Sequence, residues 1–513
     1  MRPPAHSEAE ARNHRSPYRS TNSMEALRVL LAIPEFTGLR AQGENLGIAY
    51  IEAALLRERD VEVQLFNRTG DSTNSTILQK ILVFRPHVVG LSLTSHRLLA
   101  SLMDLTKLIK RNHPCLVLAG GHYLMFRGEF AMNQERGLDV VVLGEGDETI
   151  IDIVSAFRDG RSFTEIPGLI VRQGNSVVRT GSRTKPLDLD SLAFPTREPG
   201  LLVYNISASR GCYTTCSFCS VPQFTRASPG KPFRLRSSES VREEVALLRR
   251  LGATAVSFVD DVFLLPGVKG LARAILIADI MSAFEMNWSF SCRTPELTED
   301  VLSYCQPRGL CNVGLGLESG SEEVLARFSK RAGLEHSRRA ITLCRKYAVS
   351  IQPYFIMFEP DMSLEDVWLN VDFLDEFGLL WPSYARNGLD PHPGTPSFDY
   401  LRAQSRILED GHRFVPLYLD ERVKALRDFV RPVLDRVRPV ELSLRRLQFK
   451  AETSVAEPLK AEIDSRLMLL SRHTAQFFRS ALTHSYNVDE YIEQVGLLTA
   501  DLPCGAEELT YKS

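Results

Sequence analysis

The chain alternates between short unbroken apolar runs and longer stretches in which apolar residues recur every three or four positions. RVLLAI (28–33), VEVQLF (61–66), HVVGLSL (87–93), CLVLAGG (115–121) and VVVLGEG (140–146) read as strands. ENLGIAYIEAALLRERD (44–60) and stretches near 76–84 and 97–111 read as the helices between them. This alternation predicts an α/β domain at 25–160, a parallel sheet doubly wound with helices on both faces. Residues 161–204, rich in Gly, Pro, Asp and Arg, read as a connecting segment with one hairpin, IPGLIVRQGNSVVRT. A second series spans 205–400, its strands being VYNISAS, ATAVSFVDD, NWSFSCR, CNVGLGLES, SIQPYFIMF and WPSYARNGLD. Six strand–helix units fit a partial or full (β/α)6-type barrel. Residues 401–513 turn helical, and 1–24 read as a flexible tail in which Met24 is an alternative start.

Composition narrows the classes. At 513 residues, with 44% apolar and 24% charged positions, the chain has material for several cores and is not a disordered polymer. Its 61 basic and 63 acidic residues leave no global basic field, which argues against a nucleic-acid-binding protein. The apolar runs are strand-length, so neither a membrane span nor a secretory leader is expected. Nine cysteines is an odd, low count that does not suggest a disulfide framework, and a reducing, cytoplasmic setting is expected.

Three of those cysteines are grouped. In SRGCYTTCSFCS (209–220), Cys212, Cys216 and Cys219 follow a predicted strand, with three and then two residues between them. Thiolates are soft ligands for zinc, copper(I) or iron–sulfur clusters. Structural zinc needs a fourth Cys or His nearby, and none lies between His122 and Cys292 apart from these three. Three thiolates on one loop suit three irons of a four-iron cluster, the fourth iron remaining open. The other cysteines (115, 292, 305, 311, 344 and 504) repeat no ligand spacing and read as core. Cys292 alone, beside Arg293 at a strand end, is a candidate site neighbour.

The CxxxCxxC pattern with Phe218 before its last cysteine resembles the radical S-adenosylmethionine superfamily. The resemblance implies a [4Fe-4S] cluster on Cys212, Cys216 and Cys219, with S-adenosylmethionine chelated at the open iron. FVDDVF (258–263) resembles the family's second-strand segment without its Gly-Gly-Glu; Asp260 is assigned to S-adenosylmethionine, with a helix N-cap as the alternative use of Asp260 and Asp261. SCRTPEL (291–297) resembles the third-strand segment and places Arg293 toward a carboxylate. GLGLESGS (314–321) is similar to the fourth, where Glu318 and Ser319 would address ribose or amino groups. DPHPGTPSF (390–398) resembles the turn that packs near adenine. Tyr354, Glu359, Trp381 and Tyr384, near the fifth and sixth strand ends, are candidates for a substrate pocket, with Tyr354, Glu359 and Tyr384 as candidate catalytic residues and core packing as the aromatic alternative.

GLSLTS (90–95), LAGGHY (118–123) and VVLGEGDETI (141–150) follow successive strands of the first domain and look like a cobalamin-binding domain. The resemblance assigns Ser92, Gly120, Gly121 and Glu145 to cobalamin. The loop after the first strand, PEFTGLRAQGEN, lacks the histidine of Asp-x-His-x-x-Gly proteins, so no histidine is expected on cobalt. His122 is expected at a loop or corrin edge. These resemblances imply a cobalamin-dependent radical S-adenosylmethionine enzyme methylating an unactivated carbon of a small biosynthetic molecule, fed by an external electron donor such as flavodoxin or ferredoxin. A radical rearrangement or cyclisation is the enzymatic alternative. An iron–sulfur or electron-transfer protein is the other, and Glu318, Arg293 and the Pro-Gly-Thr turn argue against it.

Overall fold

The computed structural model describes residues 26–36, 44–68, 72–227, 229–410, 413–454, 457–483 and 487–499. The expected N-terminal tail, most of the loop after the first strand and Cys504 lie outside them.

The first sheet is built from β1 (Leu27–Ala32), β2 (Val61–Phe66), β3 (Val88–Ser92), β4 (Leu116–Gly120) and β5 (Val140–Val142), all parallel, in the order β2-β1-β3-β4-β5. The central strands are covered on both faces, which is why they read as unbroken apolar runs. Helices α1 (Leu46–Leu55), α2 (Asn74–Phe84), α3 (Leu99–Asn112), α4 (Leu124–Gln134) and α5 (Thr149–Asp159) supply that cover. The strand order reverses between β1 and β3, where an open α/β sheet offers its ligand crevice. The hairpin read in the connecting segment is formed by β6 (Leu169–Gln173) and β7 (Ser176–Arg179), and it extends this sheet antiparallel to β5.

The second sheet is wholly parallel. Strands β8 (Val203–Ile206), β11 (Ala255–Phe258), β12 (Asn287–Arg293), β13 (Leu310–Glu318) and β14 (Ser350–Phe355) stand in chain order, and the ribbon of β9 (Ser209–Gly211) with β10 (Phe233–Leu235) lies past the end of β8. Helices α6 (Val221–Ala227), α7 (Ser238–Arg250), α8 (Val268–Ala283), α9 (Glu299–Cys305), α10 (Glu322–Arg327), α11 (Leu334–Lys346) and α12 (Leu364–Glu376) alternate with the strands. Strand β12 buries Trp288, Phe290 and Cys292 in a core shared with residues of α8, α9 and α11 and turns Ser289 and Ser291 the other way. The sixth strand expected at 381–390 is reduced to one bridge, Phe358 to Gly388. Its first half is α13 (Pro382–Ala385), with Pro382 at the helix start.

After α14 (Pro396–Ala403) and the hairpin of β15 (Ile407–Asp410) and β16 (Arg413–Pro416), the chain becomes helical: α15 (Glu421–Ser454), α16 (Glu457–Leu482) and α17 (Val488–Gly496). These helices share one continuous core with the barrel, for instance where Phe478 stacks on Phe358 at 6.4 Å. The two domains meet through a buried clamp: Arg197 pairs with Glu44 before α1 and with Glu244 of α7, and Glu244 also holds Arg236. No helix of the described residues is long and apolar enough to cross a membrane.

Candidate active site

The cysteine loop leaves β9 through Gly211, whose φ is +88°. A Cβ there would stand 1.9 Å from the Pro232 carbonyl oxygen, so no side chain fits. The loop is held from three directions. Gly211 N–H donates to Asp261 at 3.1 Å, Ser217 N–H donates to the Phe328 carbonyl at 2.9 Å, and Ser397 N–H donates to the Ser217 carbonyl at 3.0 Å. Phe218, the aromatic of the motif, packs on Phe328 at 4.8 Å. Among the described residues no group of three His, Cys, Asp or Glu side chains is gathered closely enough to hold one metal ion. Burial raises the Cys212 thiol and pushes Cys219 up to about 12, so a metal binding there would have to displace protons.

Glu318 ends β13 in the left-handed region (φ +65°), a conformation that costs a non-glycine residue about 1–3 kcal/mol and clusters at functional sites. Its buried carboxylate accepts from Lys330 Nζ at 2.7 Å. Burial opposes the lysine charge, but Glu318 and nearby Cys216 outweigh it and raise the Lys330 pKa. Arg293 donates to the Lys330 carbonyl and to Glu296 at 3.3 Å, while its buried Nε has no partner. The structure thus brings Glu318 and Arg293 together beside the cysteine loop, joined by a lysine that no sequence motif singled out. An acid for an ammonium and an arginine with an unused donor suit the two ends of an amino-acid moiety.

Other expected residues are engaged elsewhere. Ser319 is fully buried and donates to Asn370 at 2.8 Å. Asp260 accepts from Ser209 Oγ and from Ala208 N–H, bracing the turn between β8 and β9; burial raises its carboxyl to about 6. Neither Asp260 nor Asp261 caps a helix, since α8 starts at Val268 with Gly267 before it. Glu359 pairs with Arg327 at 3.0 Å, Tyr384 accepts from Arg445 at 2.9 Å, and Trp381 packs beside Tyr384. Cys292 lies in the helix-covered core near Cys344. Gly394 of the Pro-Gly-Thr turn sits against Phe126 of the first domain, where a Cβ would lie 2.8 Å from the ring.

At the sheet reversal of the first domain lies a cleft of about 360 Å³. Ser92, Gly120, Gly121 and Glu145 all line it, as does His122. Gly121 (φ +115°) is locked by close approach, because a Cβ would stand 2.3 Å from the Leu93 carbonyl oxygen. The far wall comes from the second domain: Arg210 makes two bonds to Asp147, at 2.9 and 3.0 Å, and Arg234 meets Glu145 at 2.7 Å. These arginines stand on β9 and β10, so the acids after β5 grip the ribbon that carries the cysteine loop. Small residues along strand ends let a flat macrocycle approach the backbone, so the cleft fits cobalamin. A second cavity, about 260 Å³, lies inside the barrel and includes Tyr354 in its lining. Val259 and Asp261 border both cavities.

Comparison with known proteins agrees with this division. Residues 206–374 match the radical SAM superfamily and residues 38–154 match the B12 binding domain. The chain is 27% identical to an uncharacterized methyltransferase of Pyrococcus horikoshii, over 75% of this chain and 85% of that one. It is 26% identical to the hopanoid C-3 methylase of Methylococcus capsulatus, over 69% and 68%. The fold resembles the cobalamin-dependent S-adenosylmethionine radical enzyme OxsB with aqua-cobalamin bound, with a TM-score of 0.70 at 18% identity over 93% of this chain and 80% of that one. It also resembles the radical S-adenosylmethionine methyltransferase TsrM from Kitasatospora setae, with a TM-score of 0.63 at 18% identity over 74% and 75%.

Proposed function

The chain belongs to the radical S-adenosylmethionine enzymes that carry a cobalamin-binding domain, and we propose that it methylates an unactivated carbon of a small biosynthetic molecule. Its cofactors are an iron–sulfur cluster, S-adenosylmethionine and cobalamin. The observation that supports this reading is the shared border of the two cavities at Val259 and Asp261, by which a barrel-bound molecule would lie next to the cobalamin cleft. The methyltransferase names of the relatives support the same reading.

When bound, a [4Fe-4S] cluster with S-adenosylmethionine supplies a 5′-deoxyadenosyl radical, and cobalamin carries the methyl group. The chain does the positioning. Cys212, Cys216 and Cys219 hold three irons. Glu318, now paired with Lys330, would accept hydrogen bonds from the S-adenosylmethionine ammonium, and Arg293, with its free Nε, would take the carboxylate. The glycine-edged strand ends of the first domain admit the corrin. Holding the reacting groups together is worth effective molarities of about 10⁵ M or more.

Each turnover exchanges a substrate C–H bond for C–CH₃. The hydrogen leaves in 5′-deoxyadenosine with free methionine, a second S-adenosylmethionine gives its methyl group and leaves as S-adenosylhomocysteine, and an external donor of the flavodoxin or ferredoxin class supplies two electrons. The test is product stoichiometry in the anaerobically reconstituted enzyme, given methyl-labelled S-adenosylmethionine and the small-molecule fraction of a cell extract. Equal amounts of the two nucleosides with label in one extract component are expected. 5′-Deoxyadenosine without labelled product would replace methyl transfer with rearrangement.

A further inference from the structure

The sheet of the barrel has two unlike faces. The helix-covered face is aliphatic and aromatic, whereas the inner face is neutral and polar along whole rows of paired strands. Asn205, Ser257, Ser289 and Asn312 are successive partners across β8, β11, β12 and β13. One layer nearer the strand ends, Ser291, Gly314 and Gln352 are partners across β12, β13 and β14. A packed barrel fills this space with branched aliphatic side chains. Here about 260 Å³ is left open.

The lining says what the space would hold. Ser289 donates to Ser257 at 3.1 Å, and the Ser291 and Tyr354 hydroxyls meet at 3.1 Å. The carboxamides of Asn312 and Gln352 have no partner among the described residues and border the cavity. No lysine, arginine or histidine lines it. Its carboxylates, Asp260 and Asp261, accept hydrogen bonds from β9 and from Ala208 just before it. An anionic group would enter without a counter-charge and beside two acids. An apolar group would strip water from two carboxamides and return no hydrogen bond. A hydroxyl donates and accepts at one atom, and a carboxamide offers both complements. Gly314 keeps the floor low, since a Cβ there would stand 2.5 Å from Ser291 Oγ and 2.7 Å from the Tyr354 ring. Tyr354 remains 40% exposed, leaving its ring free to stack.

We infer that the barrel interior recognises a neutral, polyhydroxylated portion of the substrate, with Asn312 and Gln352 as the specificity-determining residues. This rests on the enzyme reading above and adds the substrate's chemical class. The end of such a ligand nearest Val259 and Asp261 faces the cobalamin cleft and is the end that presents its carbon for reaction.

The test is ligand-observed saturation-transfer NMR on the reconstituted holoenzyme. The probes are methyl α-glucoside and myo-inositol, with glucuronate and inositol monophosphate as anionic counterparts and toluene as the apolar one. The neutral polyols should bind, and Asn312→Leu/Gln352→Leu should weaken them about tenfold or more, the equivalent of at least one lost hydrogen bond. Iron and cobalamin content report whether that variant has folded. If it has not, Gln352→Glu, which keeps the shape but removes the amide donor, should lower polyol affinity several-fold. No polyol binding, preference for the anions or toluene, or polyol binding unchanged in the folded variants overturns the inference. Failure of the wild-type enzyme to cleave S-adenosylmethionine would instead overturn the enzyme reading, so the two failures are distinguishable.

Discussion

Nε2 of His122 lies 2.7 Å from Oγ of Ser220, the residue after Cys219. A side chain of the cobalamin-binding domain therefore touches the cysteine loop directly, its ring stacked on Phe224 at 4.6 Å. Burial, with a smaller contribution from His392, holds the imidazole pKa down to about 4 from 6.5. The neutral ring favours the folded state, so this stability is present above pH 6.5 and is lost as pH falls from there toward 4. In the cofactor-free protein the loss should reach at most about 3 kcal/mol. His122→Phe keeps the stack and should flatten that part of the profile. Urea midpoints followed against pH decide it; identical slopes in both proteins would assign the effect to another group.

Glu318 and Lys330 should behave as a unit. Glu318→Gln leaves a buried ammonium without its counter-charge, at a cost of about 3–5 kcal/mol in stability. The same substitution should weaken S-adenosylmethionine by about 1.5–3 kcal/mol. Adding Lys330→Met should restore much of the stability and none of the affinity. Equilibrium titration beside thermal melts separates the two effects, and recovery of affinity in the double variant would make Glu318 purely structural.

Two adjacent glycines should differ. Gly121→Ala forces a side chain into positive φ against the Leu93 carbonyl and should lower stability by about 1–3 kcal/mol. At Gly120 a Cβ meets only Val142, at 3.4 Å. Gly120→Leu should therefore fold yet retain less cobalamin, read as bound corrin absorbance per protein. In the loaded, reduced Co(II) protein, paramagnetic resonance should show no nitrogen superhyperfine splitting, because Ser220 and Phe224 hold His122, the one histidine lining the cleft among the described residues. Splitting would place a nitrogen ligand, a histidine or the cofactor's own benzimidazole, on cobalt, and only its persistence with a cobalamin lacking that base would assign a histidine.

Replacing Cys212, Cys216 and Cys219 together with Ala should abolish iron content and the sulfide-to-iron absorbance while the circular dichroism is kept. The loop's backbone bonds run through Gly211, Ser217 and Ser397 rather than through the thiols, so the fold does not need the cluster. A triple variant that keeps its iron would refute the ligand set.

Local signals were legible, and tertiary ones were not. The cysteine spacing and the central strands showed in the sequence because each is complete within about ten residues. The alternation in NWSFSCR likewise announces one buried and one open face. No local pattern marks Lys330, which lies in a Lys-Arg pair after α10 and acquires meaning only where β13 brings Glu318 to it. Glu359 and Tyr384 looked like pocket residues because strand-end polar groups usually are. Their partners Arg327 and Arg445 come from helices whose approach no period reveals. The hairpin at 169–179 was visible, but its attachment to β5 depends on a sheet edge that needed covering.

The single core joining the barrel to α15, α16 and α17 sets an order on synthesis. Phe358, Val371 and Trp381 leave the ribosome well before Val430, Phe477 and Phe478, which complete their packing. Until then the barrel is a nascent chain with an uncovered apolar flank, the kind of intermediate that invites chaperones or aggregation. A message cut short before residue 421 would yield a polypeptide with Cys212, Cys216, Cys219 and every residue that lines the first-domain cleft, and still no finished enzyme.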